Sequence, residues 1–202
     1  LSNVALNRAE LSAAELPHYP GIALADVTLV ASAARADEAF AVLMAADVAG
    51  FDTESKPTFL KGEASTGPHL IQLATETRAF LFPIFSEVDS RALKEILESP
   101  ALLKVGFGLG NDRSALSARL GIVLNNVLDL GEVLRGPGHR GTVGAKVAVA
   151  HFFGQRLQKS KKIGTSNWAN PRLNERQLLY AANDAQVALR IYRAWRAGGG
   201  KI

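Results

Sequence analysis

Three short stretches hold carboxylates in places where they could do chemistry. In Val48-Ala-Gly-Phe-Asp-Thr-Glu54 a β-like run ends on Asp52 and Glu54, two residues apart. Side chains alternate along a strand, so both acids share one face with Val48 and Gly50, while Phe51 and Thr53 take the other. Two carboxylates ~4 Å apart repel by ~4 kcal/mol at an effective dielectric of ~20. Such a pair is either splayed into water or neutralised by a cation. The second stretch, Lys104-Val-Gly-Phe-Gly-Leu-Gly-Asn-Asp112, runs from a strand end through three alternating glycines to an acid at a helix start. Glycines at that spacing permit close backbone approach to another chain or a ligand. Their G-x-G-x-G spacing departs from the dinucleotide fingerprint G-x-G-x-x-G, and Asp112 read alone could equally cap its helix. In the third, Tyr180-Ala-Ala-Asn-Asp184, the tyrosine and the last acid lie on one helix face. An acid among small apolar residues is costly to bury unpaired. Tyr180 alone could be an ordinary core tyrosine with its hydroxyl at the surface.

These residues need elements to hold them. β-like runs fall at residues 26–31, 48–54, 70–74, 79–83, 102–106 and 127–129. Helical spacing covers 33–46, 86–98, 112–120, 130–134, 142–153 and 174–195, the last with Asn174 and Gln177 placed for a capping box. Loops are expected over 55–68 and 136–141, and a basic, irregular segment over 155–171. Strands cluster early and helices late, which suggests an α/β domain with a mixed sheet flanked by helices. The expected layout is an N-terminal arm over 1–25, one domain over 26–197 and a short tail over 198–202.

A chain of 202 residues can bury one sizeable core. It has no cysteine, so disulfide scaffolds, thiolate metal sites and cysteine nucleophiles are excluded. No apolar run approaches the ~18 residues of a membrane helix, and no signal peptide is visible, so no membrane partner and an intracellular, cytoplasmic location are expected. The net charge of +4 is unevenly spread. From Arg135 to Arg176 there are nine basic residues and one acid, a net +8 beside −4 for the remainder. Arg156, Lys159, Lys161 and Lys162 could follow a phosphate backbone, and Arg172 and Arg176 lead into the helix of Tyr180. Trp168 could stack a base or pack between loop and helix. The four histidines show no ligand spacing. Asp129 could support the site from behind or cap the turn after its strand.

Taken together, the ordered set Asp-x-Glu, Asp, Tyr-x-x-x-Asp resembles the DEDD superfamily of 3′–5′ exonucleases in its tyrosine branch, the ribonuclease D and Werner-type exonucleases. Flanking residues extend the likeness: Phe51-Asp-Thr-Glu54, Leu70-Ile-Gln-Leu73, Lys104-Val-Gly106, Ser166-Asn-Trp168 and Leu179-Tyr-Ala-Ala182. The histidine branch carries His five residues before its last acid, where this chain has Leu179. The resemblance implies an RNase H-like fold, a five-stranded mixed sheet with helices on both faces. It implies two Mg²⁺ or Mn²⁺ ions, with Asp52, Glu54 and Asp184 on one, and Asp52 bridging to a second that Asp112 helps to hold. Tyr180 would position the attacking water, and nucleoside 5′-monophosphates would leave from a single-stranded or 3′-terminal DNA or RNA. Many relatives place an Asn a few residues before the acid of the second motif; here Gly108 and its neighbours fill that stretch. Phe59 and Leu60 could wedge against the terminal base. The competing expectation is a non-catalytic nucleic-acid-binding module on the same fold, and an endonuclease fits the Tyr-x-x-x-Asp pattern less well.

Overall fold

We describe residues 16–58, 62–84, 91–136 and 141–202 in a computed structural model of the chain. The strands are β1 (Val27–Leu29), β2 (Val48–Glu54), β3 (Leu70–Ala74), β4 (Ala79–Pro83), β5 (Leu103–Gly106) and β6 (Val127–Asp129). The helices are α1 (Ala33–Met44), α2 (Arg91–Glu98), α3 (Asp112–Leu120), α4 (Leu130–Val133), α5 (Ala145–Phe153), α6 (Lys161–Gly164) and α7 (Glu175–Ala197). The expected wedge residues Phe59 and Leu60, and the expected helix start at 86–90, lie outside the described residues.

The strands form one mixed sheet in the order β1-β4-β3-β2-β5-β6. β2, β3 and β4 run antiparallel, and the other pairings are parallel. Six strands replace the five that the family likeness implied, because three-residue strands, β1 and β6, close both edges. Alternation along β2 sorts the two cores. Ala49 and Phe51 pack with Ile71, Leu73, Phe80 and Phe82 against α1 and α2. Val48 faces the other way, into a cluster built with α5 and α7. The sheet is thus covered on both faces, as RNase H-like folds are.

α7 lies directly on the sheet. Its start is fixed by reciprocal bonds of 3.1 Å between Asn174 and Gln177, the expected capping box, a device worth about 1 kcal/mol. Ala181, Ala182 and Ala185 are fully buried and let the helix settle close. Gly50 of β2 makes the closest approach: a methyl there would stand 1.8 Å from the Ala185 carbonyl oxygen. Gly50→Ala must push α7 off the strand, and overpacking of this kind costs about 1–3 kcal/mol. A thermal melt should show Tm lowered by about 5–10 °C.

β5 stops pairing with β2 at Gly50↔Val105, while β2 runs on to Glu54 beside β3. The far end of β2 therefore has one open side. The chain leaving β5 turns through the glycines there and starts α3, which brings Asp112 to that opening. Among the described residues, no helix is long and apolar enough to cross a membrane.

Candidate active site

β2 presents Asp52 and Glu54 on its α7 face, as alternation requires. α7 supplies Tyr180 and, one turn on, Asp184, which is buried. The Lys159 ammonium reaches Asp184 Oδ2 at 2.9 Å and stands 5.6 Å from the centre of the Tyr180 ring. Asp112 arrives from the first turn of α3. Asn111, and not Asp112, holds the cap position; the Asp112 carboxylate instead accepts a short hydrogen bond from the Thr53 hydroxyl. Asp52 Oδ1 accepts the Thr53 N–H at 2.8 Å. Four acids from three separated segments and the tyrosine thus lie close enough to feel one another's charge.

Their fields show in their protonation. Burial, then the Asp184 charge, pushes the Asp52 carboxyl up to about 8. Burial, then Asp52 and Asp184, pushes Glu54 up to about 9. Burial also raises Asp112 and Asp184, the latter against the pull of Lys159. Burial and the Asp184 charge carry the Tyr180 phenol to about 12, so it stays a neutral hydroxyl at neutral pH. Burial alone would lower Lys159, but Asp184 and Asp52 raise it on balance and keep it charged. One ammonium therefore serves several acids. Among the described residues no three His, Asp or Glu side chains close on one point as ligands. The donor set is nonetheless all hard oxygen and short of positive charge, which fits a divalent cation of the Mg²⁺ or Mn²⁺ type.

The basic segment divides. Lys161 and Lys162 on α6 and Arg172 and Arg176 before and within the first turn of α7 are exposed. Arg156 is half-buried and bonded to His18 at 2.9 Å. Lys159, grouped by sequence with the phosphate-following lysines, points into the acids instead. For Trp168 the packing alternative holds and the nucleic-acid contact does not. The residue is 0% exposed, donates through Nε1 to the Gly164 carbonyl at 3.1 Å and backs Tyr180 at 6.0 Å, so no base can stack on it. Gly164 in turn leaves room for the Tyr180 hydroxyl, which would stand 2.7 Å from a methyl at that position. Gly164→Ala should displace that hydroxyl and lower kcat about 10- to 100-fold while the melt stays close to wild type.

A family model described as 3′–5′ exonuclease matches residues 27–196. The chain belongs to the 3′–5′ exonuclease family. Mouse bifunctional 3′–5′ exonuclease/ATP-dependent helicase WRN is 34% identical over 149 residues, which cover 73% of this chain and 11% of the mouse protein. Human exonuclease mut-7 homolog is 29% identical over 189 residues, covering 76% and 20% of the two chains. The exonuclease chain therefore spans only a fraction of these relatives' length. The solved EXO domain of Aedes aegypti Nibbler superposes with a TM-score of 0.71 at 28% identity, covering 86% of this chain and 88% of that one. Escherichia coli RNase D shares the fold, with a TM-score of 0.70 at 21% identity over 86% and 46% of the two chains. The WRN and mut-7 likenesses place the chain among DEDD-superfamily exonucleases of the Werner type, a family that generally uses divalent metal ions.

The structure also settles residues that support the site: for Asp129 both readings hold, and Lys146 is added. Asp129 accepts from the N–H groups of Gly108 at 3.1 Å and of Leu109 and Gly131 at 2.8 Å. It therefore caps the turn after its strand and also fixes the glycine turn ahead of Asp112. Gly108 takes φ +72°, a backbone conformation open to glycine at little cost. Lys146 joins Arg156 and Lys159 around a cleft of about 340 Å³. It lies in the basic third of the sequence, but only the tertiary fold brings it beside the other two.

Proposed function

We propose that this chain is a two-metal-ion 3′–5′ exonuclease in which Asp52, Glu54, Asp112, Tyr180 and Asp184 are the catalytic residues. The observation that carries the reading is the convergence of the acids: Lys159 binds Asp184 at 2.9 Å, Thr53 between Asp52 and Glu54 bonds Asp112, and the charges of Asp184 and Asp112 both raise Asp52 and Glu54, although these acids come from three distant segments. Asp52, Glu54 and Asp184 would hold one Mg²⁺ or Mn²⁺, and Asp52 with Asp112 a second. Two such ions activate a water and stabilise the leaving 3′ oxygen of an in-line displacement.

The chain's own groups do the rest. Tyr180, held neutral, offers its hydroxyl to orient the attacking water, braced by Trp168 behind and Lys159 above its ring. Lys159 balances the acids, and its ammonium is near enough to Asp184 to serve the scissile phosphate as well. Lys161, Lys162, Arg172 and Arg176 offer exposed cations to the incoming strand, each neutralised phosphate adding salt-dependent affinity. A cleft of about 300 Å³ running from Arg176 to Tyr180, lined also by Gln158, Ser160 and Asn183, suits the terminal nucleotide. The substrate is the 3′ end of a nucleic acid strand. Trypanosoma brucei RNase D, a structural neighbour, is solved in complex with RNA U12.

The test is a degradation series on 5′-labelled single-stranded DNA, recessed duplex and RNA with Mg²⁺ or Mn²⁺. A ladder shortening from the 3′ end, with nucleoside 5′-monophosphates released, is expected. Binding without any shortening on all three substrates would leave the non-catalytic module standing instead.

A further inference from the structure

Gln72 lies in the middle of β3 and is 0% exposed. Neither its amide nitrogen nor its amide oxygen has a hydrogen-bond partner. Leaving a buried polar group unmatched costs about 1–3 kcal/mol, and this residue leaves two atoms so. An apolar side chain of the same length would fill the position without that cost.

Its placement supplies the reason. In the antiparallel β2–β3 ladder, Gln72 is the partner of Asp52. Directly opposed residues share a face, with Cβ atoms about 4.5–5.5 Å apart. That face is the one beneath α7, since Gly50 on it meets Ala185. Apolar residues surround Gln72 along the sheet and from the helix above. Leu70 and Ala74 flank it along β3, Leu81 opposes it from β4, and Ala181, Ala182 and Ala185 cover that face from α7. Asp52 is thus the polar group its strand register sets beside it. One Asp52 oxygen is already bonded to the Thr53 N–H.

We propose that Gln72 is a positioning residue for the metal site: its buried amide, unpartnered in the ion-free chain, is the donor that the Asp52 carboxylate takes up when divalent cations draw it into place, and it then fixes which oxygen lone pairs face the cations. Asp52 is the acid that bridges both ions in the proposed function, so this inference rests on that reading. A bridging carboxylate must present its oxygens at set angles, and the Thr53 N–H alone restrains only one of them. Gln72 Nε2, unpartnered on the opposite strand and out of reach of solvent, would supply the second restraint once the cations are held.

The experiment uses Gln72→Met, close in volume and without polar hydrogens, with Mn²⁺ as the probe. Mn²⁺ affinity is measured by calorimetry and by the spectrum of free Mn²⁺, and stability by thermal melts in chelator. Melts in chelator should be level with wild type or higher. Mn²⁺ affinity should fall about 10- to 100-fold, the usual effect of losing a group that orients a metal ligand. Asp52→Asn serves as the reference for a missing ligand. Gln72→Met with wild-type Mn²⁺ affinity overturns the inference. So does a marked loss of stability in chelator, which would make the amide part of the fold and not of the site. Wild-type protein that binds no Mn²⁺ points elsewhere, since it removes the two-metal reading itself.

Discussion

Asp184→Asn is expected to reduce exonuclease turnover at least 10³-fold and to raise Tm in the same protein. Asp184 is buried and faces Asp52 and Glu54 with one ammonium between them. In the folded chain without divalent ions these acids repel and are desolvated, and all have raised pKa values. An amide has the shape of the protonated acid and none of its charge. It still accepts from Lys159 through its oxygen, so the fold loses little and sheds repulsion. The site loses an anionic oxygen from the set proposed to hold a metal. Phosphodiester cleavage draws on metal ions for several kcal/mol of transition-state stabilisation, and each 1.36 kcal/mol is tenfold in rate. Activity assays paired with melts in chelator check both halves. A variant that keeps near-wild-type turnover would remove Asp184 from the metal set, and one that melts lower would show that its charge holds the fold.

The second large effect is a pH-dependent gain in stability for Glu54→Gln. The folded pKa of Glu54 is raised to about 9, above the ~4.3 of an unfolded glutamate. Between those values the folded state binds the extra proton, so stability falls as pH rises through the window. The carboxyl therefore contributes most below pH ~4, and that contribution is lost by pH ~9. Glutamine mimics the protonated acid at every pH. Glu54→Gln should melt with wild type near pH 4 and above it by about 5–10 °C near pH 8, in chelator. The comparison cancels opposing groups. His69 and His151 have pKa values lowered chiefly by burial, so they add stability as pH rises toward the ~6.5 of an unfolded histidine. Lys104, pulled down to about 8 by burial, does the same at higher pH. Mn²⁺ should erase the advantage of the variant by stabilising wild type. A gap independent of pH would mean that Glu54 does not share the field of Asp52 and Asp184.

Much of this was legible in the chain itself. The alternation of Val48–Glu54 put Asp52 and Glu54 on one face without any knowledge of what lay above it. The Tyr180–Asp184 spacing and the alanines around it described the close-packed face of α7. Directions that depend on tertiary packing were not legible. Lys159 sits among lysines, and only the fold turns it toward Asp184 while Lys161 and Lys162 stay in solvent. Trp168 is an aromatic in a polar loop, equally suited to stacking or packing until Gly164 and Tyr180 enclose it. Gln72 was visible only as part of Leu70-Ile-Gln-Leu73. Its meaning lies in the strand register, which a single strand does not carry. The strand count shows the same limit: all six runs could be read, but their order in one sheet could not.

The β2–β3 register has a consequence for the timing of activity. A slip of one residue would turn Asp52 and Glu54 toward α1 and α2 and put Phe51 on the opposite side. Asp184 comes from near the other end of the chain and reaches these acids only when α7 has docked on Gly50. A growing chain therefore carries Asp52 and Glu54 without the rest of the acid set until α7 has been made and has docked on β2.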